Sequence, residues 1–132
     1  MANRLTALSE YRPRVKLGKL VGTPELARYI ARGTSLNRGE IGNVLDELNE
    51  AIIFYGQKGL PVKINGVGVF SPTIKADGTF RIGFRLDTSI SKALNVQRIF
   101  SGDVENSANV GMTMEDMIAL WNEEHPDDPV VE

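Results

Sequence analysis

The chain reads as an α+β protein: a two-helix hairpin, a three-stranded antiparallel sheet and a short closing helix, with an added amino-terminal strand and a carboxy-terminal helix. Three observations predict this. Two stretches between residues 23 and 55 carry apolar side chains at three-four spacing. Residues 61–86 switch to period-two alternation broken by glycine turns. Residues 113–121 return to helical spacing after an irregular polar segment.

Residues 1–22 read as an extension with strand character. In Tyr11-Arg12-Pro13-Arg14-Val15-Lys16-Leu17-Gly18-Lys19, the cations Arg12, Arg14 and Lys16 share one face of an extended chain, and Pro13 favours an edge position. Thr23-Pro24-Glu25 opens the first helix of the hairpin, with threonine able to cap and proline suited to the first turn. Leu26, Tyr29 and Ile30 form its stripe. Asn37, with Glu40 three residues later, signals a second start. From Ile41 to Tyr55 the stripe includes Leu45, Leu48 and Ile52 and is broader than one short helix can cover, which points to dimerisation.

Gly56 and Gly59 are expected to end that helix. Strands are expected at 61–65, 67–75 and 79–86, with Lys75-Ala76-Asp77-Gly78 as the turn of the last hairpin. In the final strand Phe80, Ile82, Phe84 and Leu86 face one way, and Thr79, Arg81, Gly83 and Arg85 the other. A closing helix at 89–95, capped by Thr88 or Ser89, would turn Ile90 and Leu94 inward. Residues 99–112 read as irregular. Thr113 opens the last helix, whose side bearing Met114, Met117, Ile118 and Trp121 is expected to dock on its own domain; Pro126 and Pro129 end it in an acidic tail.

Composition narrows the function. With 42% hydrophobic and 24% charged residues the chain can build an ordinary core, and with no cysteine it has neither disulfides nor thiolate metal sites. No apolar run reaches a membrane span and the first residues lack a signal-peptide core, so a cytoplasmic location and no membrane partner are expected. Residues 1–98 hold all fifteen Lys and Arg with eight acids, whereas 99–132 hold nine acids and no Lys or Arg. Such asymmetry fits a polyanion partner, or a tail that neutralises its own body.

Catalysis finds little support. The single histidine, His125, sits beside a proline in the acidic tail and reads as a surface residue. Glu123-Glu124 and Asp127-Asp128 read as a solvated run rather than a metal site. Gly66-Val67-Gly68 lacks the third glycine and strand–turn–helix setting of a dinucleotide loop, and reads as a turn between strands. No catalytic residue, metal, cofactor or small-molecule substrate is expected. Nucleic acid fits better: Arg81 and Arg85 share one strand face, with Thr73 and Lys75 joining from the neighbouring strand, a row of cations suited to phosphates.

The element order and the segments Pro24–Ile30, Arg38–Leu48, Val62–Phe70 with its Gly-x-Gly-x-Phe core, and Phe84–Leu94 resemble the bacterial histone-like HU and integration host factor family over about residues 23–96. The amino-terminal extension is similar to that of the longer HU-like proteins of Bacteroidetes-type bacteria and their phages. The resemblance implies a homodimer, or a heterodimer with a paralogue, that binds double-stranded DNA without sequence preference and is nucleoid-associated. Leu45, Leu48, Ile52, Phe70, Phe80 and Phe84 would fill the dimer core. Arg81, Arg85, Lys75, Thr73 and Lys92 would meet DNA, with Arg12, Arg14 and Lys16 as auxiliary contacts.

Two departures qualify that expectation. The long arms of the family would lie between Lys75 and Thr79, where only Ala76-Asp77-Gly78 stands, so strong bending is not expected. Leu86-Asp87-Thr88 replaces the usual Pro-Gly-Lys. The domains expected are 1–22 (extension), 23–96 (DNA-binding) and 97–132 (carboxy-terminal extension). The alternative is an HU-fold structural protein that has lost DNA binding and assembles with itself or with a larger particle, such as a phage. A sequence-reading helix-turn-helix at 23–55 ranks last, since its second helix carries aliphatics rather than base-reading groups.

Overall fold

Several elements of the hairpin-and-sheet region begin or end on a local device the sequence can specify. In the computed structural model, which describes residues 2–131, the order is α1 (Arg4–Tyr11), β1 (Arg14–Lys16), α2 (Thr23–Arg32), α3 (Arg38–Gln57), β2 (Val62–Ile64), β3 (Gly68–Ile74), β4 (Phe80–Leu86), α4 (Thr88–Leu94), β5 (Asp103–Glu105) and α5 (Met114–Glu124). Met1 and Glu132, the outermost residues of the expected extensions, lie outside the described residues. The chain divides into two compact units, one of residues 20–100 and one that joins 1–19 to 101–132.

In the 20–100 unit α2 starts at Thr23, so Gly22 rather than the threonine holds the cap position. Asn37 caps α3 as expected, its side-chain oxygen accepting the Glu40 backbone N–H at 2.8 Å. Helix α3 runs through Gly56 to Gln57, and Gly56 serves packing rather than termination: a Cβ there would stand 2.9 Å from Ile82 Cδ1. The stop comes later, at Gly59 with φ +76°. That contact also shows that the even-numbered face of β4 is the one turned to α3.

The sheet order is β2-β3-β4, antiparallel throughout. Gly66, at φ +78°, turns β2 into β3, as the Gly-Val-Gly reading expects. The β3–β4 connection is short: Lys75 N–H donates to the Thr79 carbonyl at 2.9 Å, and Gly78 takes φ +90°. Helix α4 is capped by Asp87, which accepts the Ser89 N–H at 3.1 Å, not by Thr88 or Ser89. Leu94 is exposed rather than inward.

The other unit departs most from expectation. The supposed strand-like extension contains a helix, α1, capped by Asn3, which accepts the Thr6 N–H at 2.9 Å. Eight residues are too few to hold a helix in water alone; α1 stands because Ala7 and Tyr11 pack with Met117, Trp121 and Val130. The Tyr11 and Trp121 rings meet edge-on at 6.4 Å. The segment expected to be irregular supplies β5, paired antiparallel with β1 in the register Arg14↔Glu105, Val15↔Val104, Lys16↔Asp103.

Helix α5 begins with the full capping box of Thr113 and Asp116 and docks within its own unit, as its stripe predicts. The tail beyond it is not a free solvated run. Trp121 Nε1 donates to the Asp128 carbonyl at 2.7 Å, Val130 N–H to Asn122 Oδ1 at 2.7 Å, and Ala2 bridges Val130. His125, expected on the surface, is half-buried with its ring stacked 3.8 Å from Trp121.

Candidate nucleic-acid interface

Strand register decides which cations stand together. Across the sheet Thr73 faces Arg81, Ser71 faces Gly83, and Val69 faces Arg85 on one side and Lys63 on the other. Side chains directly opposite in a sheet project to the same face. Lys63, Val69, Ser71, Thr73, Arg81, Gly83 and Arg85 therefore share the face turned away from α3. Lys75 follows β3 on the same odd-numbered side, at the mouth of the hairpin. Arg81, Arg85, Lys63 and Lys75 are exposed.

Lys63 was absent from the sequence-derived set. Its signal lay in the alternation Val62-Lys63-Ile64, where the two apolar residues are half-buried and the lysine is exposed. Three residues are too short a run to display that period by themselves, and only pairing with β3 brings Lys63 into the rank of Arg85.

Two acids flank this face, and both are engaged locally. Asp77 in the hairpin turn accepts the Thr79 N–H at 2.9 Å, which holds its carboxyl below the usual range. Asp87 is likewise held low, first by the Ser89 hydroxyl, then by the Ser89 N–H, with a smaller contribution from the nearby Lys63 charge. Thr73 is not a free donor, since its hydroxyl leans 3.4 Å from the Arg81 carbonyl. Lys92 lies in the last turn of α4, off the strand row.

The stripe of Arg12, Arg14 and Lys16 belongs to the other unit. Arg14 is committed there: its Nε lies 2.6 Å from Glu105, and its Nη1 donates to the Ser9 carbonyl at 2.7 Å. Lys16 stands opposite Asp103.

The opposite, even-numbered face of the sheet is apolar and open. The Phe70 and Phe84 rings lie 4.6 Å apart at a 42° tilt, yet Phe84 is exposed and Phe80 is 77% exposed. Leu45, Leu48 and Ile52 are half-buried. In the whole 20–100 unit only Ala27 and Ile41 are buried apolar side chains. A notch of about 700 Å³ opens between the end of α3 and the β3–β4 hairpin, lined by Ile53, Gly56, Pro72, Ile74, Phe80 and Ile82 among others.

A family model described as an HU domain fused to wHTH, Ig, or glycine-rich motif matches residues 6–82, more than half of the chain. The chain belongs to the HU family. Membership suggests a DNA-binding, histone-like role, and an HU domain is typically non-enzymatic. The match begins in α1 and ends inside β4, so the amino-terminal helix and strand lie within the matched region, before the stretch from residue 23 where the resemblance was read. No curated protein matches the chain. Among the described residues no group of His, Asp or Glu could hold a metal ion, and no helix is long and apolar enough to cross a membrane.

Proposed function

We propose that this HU-family protein binds double-stranded DNA without sequence preference, as a dimer, through the outer face of its sheet. The observation that carries the reading is the cross-strand row of Lys63, Arg85, Arg81 and Lys75, exposed and flanked only by acids already engaged in turns. Guanidinium and ammonium groups on an open sheet meet phosphate oxygens and read no base edges, so affinity follows the number of phosphates neutralised. Lys92 adds a contact from α4. Arg12, Arg14 and Lys16 remain auxiliary, and Arg14 contributes least because Glu105 holds it.

Dimerisation is supported by the open apolar face. Burying an exposed Phe or Leu side chain gains about 1.5–3 kcal/mol, and a unit with so few buried side chains gains most of its stability from a second copy. The short Ala76-Asp77-Gly78 turn offers no wedge to unstack a base step, so the bound duplex stays nearly straight. A nucleoid-associated, cytoplasmic location follows from this reading.

The test is fluorescence anisotropy of a labelled mixed-sequence duplex over a range of salt, with size-exclusion chromatography for the dimer. Each phosphate contact contributes a slope of roughly −0.9 in log affinity against log salt. Lys63→Ala is expected to reduce the slope by about one contact, and Arg81→Ala with Arg85→Ala by about two. A salt-independent affinity, or a double variant that binds as wild type, refutes the reading.

A further inference from the structure

The basic face has a hole at its centre. Gly83 stands midway between Arg81 and Arg85 in β4, a place where a glycine costs roughly 0.5–1 kcal/mol in strand stability relative to a residue with a side chain. Neither backbone nor packing requires it. Gly83 is not among the residues with positive φ, and a Cβ there would meet nothing closer than the Ser71 carbonyl at 3.9 Å. Gly56 and Gly68 differ, because each has a side chain of β4 where its own would be. The missing side chain at Gly83 opens outward, into a shallow depression of about 300 Å³ lined by Val69, Ser71, Gly83, Phe84 and Arg85.

We infer that this depression seats one nucleotide of the DNA backbone, and this rests on the function proposed above. The occupant follows from the chemistry of its walls. The Val69 side chain and the side-chain-free Gly83 backbone form a flat floor against which the face of a deoxyribose can lie. The Ser71 hydroxyl can donate to a phosphate oxygen, and the Arg85 guanidinium borders one side. Arg81 and Arg85 are four residues apart, about 13 Å along the strand, wider than the spacing of consecutive phosphates, so their long side chains reach in from either side toward a backbone whose sugar rests on Gly83. Charge complementarity selects a polyanion: Arg85 lines the depression, Arg81, Lys63 and Lys75 are exposed on the same sheet face, and the two nearby acids are engaged in local caps and turns. A side chain at position 83 would hold the backbone off both arginines at once.

The experiment fills the depression without removing a charge. Gly83→Leu and, from the facing strand, Ser71→Val are titrated as full-length protein against the same labelled duplex, beside wild type and the Arg81→Ala/Arg85→Ala double variant. Thermal melts and size-exclusion profiles check the fold. Both fillers are expected to weaken binding at least about tenfold, the equivalent of ~1.4 kcal/mol, while melting as wild type does. If Gly83→Leu does not fold, Ser71→Val decides, since a β-branched residue suits a strand. Fillers that bind as wild type, while the double arginine variant loses affinity, overturn the seat and leave the sheet-face reading standing. Wild-type protein that does not bind the duplex overturns both.

Discussion

Arg14 and Glu105, ninety-one positions apart, meet at 2.6 Å across the β1–β5 pair. The contact ties the start of the chain to its acidic end. It also changes what the charge asymmetry means for these residues: part of the acidic segment is used within its own unit. Asn106 and Asn109 add to the tie by donating to the carbonyls of Glu10, Arg12 and Tyr11 at 2.8, 3.1 and 2.7 Å.

This ion pair makes a pH prediction. Arg14, by hydrogen bond and then by charge, holds the Glu105 carboxyl below its ordinary range. A carboxyl with a depressed folded pKa adds stability above its unfolded pKa and loses it as pH falls through the folded one. Both side chains are largely exposed, so the effect is small and screened by salt. Glu105→Gln should melt below wild type at neutral pH and low salt, and the two curves should converge under acid. A gap that persists once the carboxyl is protonated contradicts the assignment.

Tyr11 predicts the alkaline limb. Its ring is buried in the terminal unit and its hydroxyl donates to Glu124; burial first, then that bond and the charges of Glu124 and Glu10, push the phenol up to about 12. A raised folded pKa means stability fully present below the unfolded value near 10 and lost as pH rises toward 12. Tyr11→Phe should flatten that loss. Fluorescence of Trp121, the single tryptophan, reports it directly; identical alkaline profiles for the two proteins would count against the buried phenol.

Gly68 predicts a steric cost in the sheet. A Cβ there would press on the Arg85 carbonyl and stand 2.6 Å from Phe84 Cζ, neither of which can move aside cheaply. Gly68→Ala should lose about 1–3 kcal/mol in urea unfolding, the usual range for overpacking. Gly83→Ala, whose Cβ would meet only the Ser71 carbonyl at an ordinary 3.9 Å, should lose none. Equal effects at the two glycines would contradict the packing described.

Much of the architecture was legible because its signals are local. Asn37 with Glu40, Thr113 with Asp116, the Gly66 turn and the alternation of Phe80 to Leu86 each depend on neighbours within a few residues, and each stands where the sequence places it. The caps at Gly22 and Asp87 were missed by one residue, since Thr23, Thr88 and Ser89 are equally able to cap and the backbone chooses among them. Arg81 and Arg85 were legible as a pair because period two carries both within one strand.

The sequence by itself determined the helix pair, the three strands, their polarity and the family to which the chain belongs. Only tertiary structure decided the rest, because the deciding partners are distant in the chain. Helix α1 exists by packing Ala7 and Tyr11 on a helix more than a hundred residues later. Strand β5 has no pattern of its own and is defined by β1. Lys63 enters the basic row only through register with Val69 and Arg85, and Gly83 becomes informative only once its outward side is seen to be empty. Local propensity can place an element, but which side chains then share a face is set by the pairing of strands far apart in sequence.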